Sequence, residues 1–112
     1  MKITIVAVDL RSPAWAFTAV EDYLTRFPRD WKVELKTVKE EPRHGQSKSD
    51  LMAAEADRIR KAIPKGSLLV TLDERGKDLT TVEFAKKLSA WQDSGESVAF
   101  VIGGTDGIDP AL

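Results

Sequence analysis

Two short polar stretches hold most of the residues able to do chemistry, and each follows an apolar run. Asp73-Glu74-Arg75-Gly76-Lys77 follows Leu68-Leu69-Val70-Thr71-Leu72, and Gly103-Gly104-Thr105-Asp106-Gly107 follows Val98-Ala99-Phe100-Val101-Ile102. Apolar runs of this length, bounded by glycine and charge, predict strands buried on both faces of a parallel sheet. In open parallel sheets ligands bind in the crevice outside the carboxyl ends of the strands. The two loops are therefore candidate walls of one site. Gly103-Gly104 would let backbone approach a ligand closely, and its N–H groups could hold a polar or anionic group. The same residues also suit a plain strand-to-helix turn with Asp109 as N-cap. They do not form a dinucleotide fingerprint, because the third glycine is misplaced and the stretch follows the fourth strand, not the first. The four charges around Gly76 equally suit a solvated connection.

The remaining candidates are weaker. His44 is the one histidine and lies in a polar stretch without a second ligand at metal spacing or a serine to activate, so it reads as a surface residue. Arg43, His44 and Lys48 form a small basic cluster that could touch phosphate but also suits simple solvation. Tyr23 reads as packing at the edge of the core, and Arg26, Arg29 and Lys32 suit a helix C-terminus. Seventeen Lys and Arg against eighteen Asp and Glu leave a formal charge of −1, so no global field draws the chain to nucleic acid. The absence of cysteine excludes disulfides and thiolate chemistry and agrees with a reducing cytoplasm. The apolar run at the N-terminus is too short to span a membrane and lacks a secretory cleavage pattern, so it reads as a strand.

These loops need a frame to position them, and the pattern supplies one. Residues 2–8, rich in Ile and Val, begin a sheet. Ser12 as N-cap and Pro13 at the first helical position start a helix carrying Phe17, Val20, Leu24 and Phe27 on one face, ended by Pro28. Residues 31–38 alternate as a strand near a sheet edge, and residues 39–48 read as a mobile loop. Ser49 or Asp50 caps a second helix with Met52, Ala56, Ile59 and Ile63 on one face, stopped by Pro64 and Gly66. A strand at 68–72 follows, then a capping box, Thr80-x-x-Glu83, opening a third helix with Phe84, Leu88 and Trp91 on its buried face. The last strand covers 97–102. Strands alternating with helices predict a single three-layer α/β domain with a parallel sheet.

At these same loops the chain resembles the bacterial ribosomal RNA large-subunit methyltransferase H family, of the SPOUT superfamily of knotted methyltransferases. The resemblance covers residues 1–112 and rests on Met1-Lys2-Ile3-x-Ile5-Val6-Ala7-Val8, Glu21-Asp22-Tyr23-x-x-Arg26, Glu55-Ala56-x-Arg58-Ile59, Leu72-Asp73-Glu74-Arg75-Gly76-Lys77 and Phe100-Val101-Ile102-Gly103-Gly104-x-Asp106-Gly107. It implies a cytoplasmic, S-adenosylmethionine-dependent homodimer, without metal or membrane, that methylates N3 of a pseudouridine in the 23S rRNA of the assembled ribosome. By the same resemblance Leu72 and Gly103 match cofactor contacts, with Asp73 and Gly104 beside them.

Family members continue beyond the position of Leu112 with a helix, a strand and a last helix, roughly 40 residues by ordinary element lengths. That segment carries the knot, a third cofactor loop and most of the dimer interface, so no catalytic residue is assigned within residues 1–112. The expectation is that these residues are the N-terminal portion of a methyltransferase and lack methyl transfer by themselves. Asp109-Pro110-Ala111-Leu112, which reads as a helix start, favours this reading. The competing reading is a short, non-enzymatic module binding RNA, ribosome or nucleotide.

Overall fold

Period-two alternation of Ile and Val draws the first strand into the middle of a sheet, where both of its faces find apolar cover. The computed structural model describes residues 1–9 and 12–112. Its elements run β1 (Lys2–Asp9), α1 (Ala14–Leu24), β2 (Lys32–Lys39), α2 (Lys48–Ala62), β3 (Leu68–Leu72), α3 (Thr81–Asp93) and β4 (Ser97–Ile102). The strands form one sheet in the order β2-β1-β4-β3, with every pairing parallel. Leu72 pairs with Ile102 and Ala7 with the same residue from the other side, so three strands reach their carboxyl ends almost level.

The helices divide between the two faces. Val6, Val8 and Val101 point to one face and pack with Ile59 of α2 and with Ile108; Val6 and Val101 are fully buried. Ile3, Val98 and Phe100 point to the other and pack with Leu88 and Trp91 of α3. Phe84 and Trp91 meet the Phe100 ring edge-on at 5.9 and 6.2 Å between centroids, geometry worth about 0.5–1.5 kcal/mol per pair. Beside α3, Phe17 and Val20 of α1 line a mostly apolar cavity of about 350 Å³ with Ile5, Leu35 and Thr37. No residue of α1 is fully buried. The arrangement is the three-layer α/β architecture expected from the alternation of elements.

Several local expectations need correction. Pro13 is extended and itself occupies the N-cap of α1, so the helix begins at Ala14 and Ser12 does not cap it. The same helix ends at Leu24, not Phe27. The Thr25 hydroxyl donates to the Asp22 carbonyl (2.6 Å), and the Arg26 N–H to the Tyr23 carbonyl (3.1 Å). These short-range bonds tighten the last turn ahead of Pro28. Tyr23 is exposed and carries the Arg26 guanidinium 5.0 Å from its ring centre; it is not core-edge packing. Ser47, not Ser49 or Asp50, caps α2 by accepting the Asp50 N–H. β3 is an edge strand with Leu68 and Leu72 exposed, so only β4 fits the expectation of burial on both faces. The capping box of α3 forms as predicted: Thr80 Oγ1 accepts the Glu83 N–H, and Glu83 accepts the Thr80 N–H.

The division of the core predicts unequal effects of truncation. Ile59→Ala removes a side chain only 2% exposed and should lower unfolding free energy by about 3 kcal/mol. Trp15→Ala, on the outer face of α1 and 74% exposed, should change it by less than about 0.5 kcal/mol. Urea unfolding of both variants checks this, and equal losses would contradict the placement of α2 over the buried face.

Candidate functional site

Where β3 and β4 end together, the loops that follow them must diverge, and a crevice opens between them. It has a volume of about 310 Å³, at the lower end of the range for small-molecule sites. Leu72, Asp73, Gly103 and Gly104, the four residues singled out in the sequence, all line it. Leu72 and Ile102, paired in register, leave their side chains about half exposed there and give the crevice an apolar floor. Asp73, Glu74, Thr105, Asp106 and Lys48 are its polar lining residues.

The first wall is held by one ion pair. Arg75 donates from Nε and from its backbone N–H to Asp73 Oδ1 (3.1 and 2.9 Å), and from Nη2 to Asp73 Oδ2 (2.7 Å). The same Nη2 donates to the Ile108 carbonyl (3.0 Å), which belongs to the other wall. Arg75 thus straps the β3 loop to the β4 loop. Hydrogen bonds from its side chain, and then from its backbone N–H, hold the Asp73 carboxyl below the usual carboxylate range; Asp73 in turn raises the guanidinium. An aspartate engaged in this way serves as a structural acceptor, not as a general base.

The second wall is crowded. A Cβ on Gly103 would lie 2.7 Å from Ile108 Cγ1 and 2.9 Å from the Gly107 carbonyl carbon. On Gly104 it would lie 2.9 Å from Glu55 Oε1 and 3.2 Å from Val8 Cγ1. Gly103 is therefore required by the backbone packed against it, whereas a Cβ on Gly104 would displace the Glu55 carboxylate, whatever binds on the open side. The Gly107 N–H closes the turn on the Gly104 carbonyl (3.0 Å), and Asp109 Oδ1 accepts the Ala111 N–H (2.9 Å). The plain turn chemistry is thus present in a stretch that also lines the crevice.

A third loop, after β2, backs the second wall through Thr105 and Asp106. The stretch expected to be mobile, residues 39–48, is tied down over long sequence distances. Arg43 pairs with Asp106 (2.6 Å), the Thr105 hydroxyl donates to Glu40 (3.2 Å), and the Glu41 N–H donates to Glu55 Oε2 (3.0 Å). Arg58 of α2 pairs with Glu41 and donates to the Lys39 carbonyl (2.9 Å). Lys48, at the start of α2, reaches the crevice lining, whereas Arg43 is engaged by Asp106, so the basic cluster divides. Lys77 lines a separate groove beside α3, and His44 is exposed. Among the described residues no group of three or more His, Cys, Asp or Glu is placed to hold a metal ion. No described helix is long and apolar enough to cross a membrane.

Reading residues by motif placed Glu55 and Arg75 in the resemblance but missed the burial of Glu55, the part of Ile108 and the strap function of Arg75. For Glu55 a signal existed: it stands one turn after Leu51 and one before Ile59, inside the apolar stripe of α2. The Ile108 contact carried none, because an arginine 33 residues away reaches a backbone carbonyl.

A family model described as "Predicted SPOUT methyltransferase" matches residues 1–112. Proteins named ribosomal RNA large subunit methyltransferase H are similar along the whole chain. The one from Paracidovorax citrulli (strain AAC00-1) is 57% identical over 112 residues, and the one from Acidovorax sp. (strain JS42) is 56% identical. That from Delftia acidovorans (strain DSM 14801 / SPH-1) is 54% identical. Each match covers 100% of this chain and 72% of the relative.

The strap should respond to acid with a defined sign. Because the folded-state carboxyl of Asp73 is depressed, its stabilising contribution is complete above the unfolded value of about 3.9. It is lost as pH falls through the lower folded value. The ¹⁵N shift of the Arg75 amide should therefore stay constant from neutrality to about pH 5 and move only below about pH 4. In Asp73→Asn that acid transition should disappear, and a transition near neutrality would contradict the pairing.

Proposed function

The chain belongs to the SPOUT methyltransferase family, and on that premise we propose that it forms the S-adenosylmethionine-holding part of a 23S rRNA methyltransferase. The observation that carries the reading is the convergence of Leu72, Asp73, Gly103 and Gly104 on one crevice. The site's chemistry fits the cofactor. Leu72 and Ile102 offer apolar surface for a ring, and the flanking loops offer backbone donors and acceptors for its polar groups. Bound there, S-adenosylmethionine would supply an electrophilic methyl group on a sulfonium.

The tasks of this chain are then to hold, orient and exclude water. Leu72 and Gly103 would seat the cofactor, while Asp73 acts through Arg75 and Gly104 through its close packing to keep the two walls apart at a fixed width. Positioning of this kind can supply much of the barrier reduction for a transfer between two bound partners. The acceptor we propose is N3 of a pseudouridine, which must lose its proton and face the methyl group in line. The relatives are named for action on large-subunit ribosomal RNA, and the same substrate is proposed here. With a net charge of −1 the chain has no excess of cations to bind RNA unaided. An assembled ribosome, supplying shape as well as phosphate, and a homodimeric enzyme both agree with that balance.

Of the carboxylates that line the crevice, Asp73 and Asp106 are engaged by Arg75 and Arg43, and the proton-handling groups are assigned to the part of the relatives' length that these 112 residues do not match. A polypeptide of residues 1–112 should show no methyl transfer to ribosomes unmethylated at the target. A chimera completed with the remaining segment of the Paracidovorax citrulli relative should turn over, and Gly103→Ala in it should lower the rate at least about tenfold, about 1.4 kcal/mol. Radiolabelled methyl transfer measures all three. Turnover by residues 1–112 alone would overturn the division of labour, and an inactive chimera would overturn the function.

A further inference from the structure

Glu55 is the one charged residue among the four buried residues of α2, 7% exposed between Leu51 and Ile59. Removing a carboxylate from water is unfavourable unless donors replace the water. Here Oε2 accepts the backbone N–H of Glu41 at 3.0 Å, so one carboxylate oxygen fixes the loop after β2. The other oxygen faces the turn after β4, lying 2.9 Å from where a Cβ on Gly104 would stand. One side chain therefore touches both the loop after β2 and the crevice wall after β4. Arg58, one turn further along α2, reinforces the first contact by pairing with the Glu41 carboxylate and donating to the Lys39 carbonyl.

We propose that Glu55 is a positioning residue: its carboxylate bridges the loop after β2 to the Gly104 turn and so sets the shape of the cofactor crevice from behind. The cofactor part of this inference rests on the function proposed above, whereas the bridge itself does not. Glu55 does not line the crevice and would touch neither cofactor nor substrate. It acts through Gly104, whose missing Cβ leaves the room that the carboxylate fills. The ion pair of Arg43 with Asp106 and the bond of Thr105 to Glu40 lie further out on the same two loops and are more exposed. The bridge from Glu55 is the buried link, and the outer pairs depend on the register it sets.

Amide hydrogen exchange resolved by residue tests the bridge, with cofactor affinity measured in parallel by calorimetry. Glu55→Ala should speed exchange about tenfold or more at residues 40–45 and at 103–107, while the amides of β1 and β4 keep their protection. Glu55→Gln retains an acceptor for the Glu41 N–H and should restore most of that protection. Gly104→Ala disturbs the bridge from the other side and should also loosen residues 40–45, which keeps the test open if Glu55→Ala folds poorly. Unchanged exchange at 103–107 in Glu55→Ala, or loosening spread evenly over the whole sheet, would overturn the bridge. If the wild-type chain binds S-adenosylmethionine, Glu55→Ala should bind it at least about tenfold more weakly and Glu55→Gln nearly as well as wild type. Equal affinity in Glu55→Ala would overturn the positioning role. A wild-type chain that does not bind would count against the proposed function, and the exchange data would still decide the bridge.

Discussion

The carboxyl end of β4 must turn away from the sheet with almost no room to do so, and the other features of the site follow from that crowding. Gly103 lies against Ile108 and the Gly107 backbone at distances that leave no room for a Cβ, and Gly104 lies against Glu55 and Val8, which would have to shift to admit one. A turn packed this tightly cannot drift toward the β3 loop, so the gap between them persists as a crevice. Because Leu72 and Ile102 are level in the register, their side chains meet at the base of that gap. The site is thus a consequence of parallel pairing plus close backbone packing, and little side-chain chemistry is needed to make it.

Electrostatics then tune what sterics create. Exposed ion pairs such as Arg43 with Asp106 are individually worth no more than about 1 kcal/mol. Their value here is geometric, since each joins segments far apart in sequence and removes alternative loop positions. The bidentate pair of Arg75 with Asp73 adds a further hydrogen bond to a backbone carbonyl on the opposite wall. Arginine suits that task because its planar fork can serve a carboxylate and a third acceptor at once. Lysine at the same position could not hold both Asp73 oxygens in that geometry.

The sheet was largely legible in the sequence because its strands carry local signals. β4 is, after Ser97, an apolar run ended by Gly-Gly, and the start of α3 is written in Thr80 and Glu83. That four residues would share one crevice could be read from strand-end loops, with the resemblance pointing to Leu72 and Gly103 and to Asp73 and Gly104 beside them, and glycine chemistry pointing independently to Gly103 and Gly104. What failed had no local signature. Residues 39–48 lack apolar periodicity, and their order comes from contacts with Asp106, Thr105, Glu55 and Arg58 that only the fold brings near. The exposure of β3 was missed for a similar reason: an apolar run does not reveal whether its strand is central or at an edge. Tyr23 misled because its type suits burial, yet it lies on the outer side of α1 with Arg26 over its ring.

A ¹H–¹⁵N chemical-shift titration of the chain with S-adenosylmethionine tests most directly whether the proposed cofactor lies between the β3 and β4 loops. Saturable shifts concentrated at the amides of residues 72–75 and 103–108, with β2 and the outer face of α1 unmoved, are the expected result. Shifts centred on the groove beside α3 or on the apolar cavity under α1, or no saturable shift at all, would contradict it.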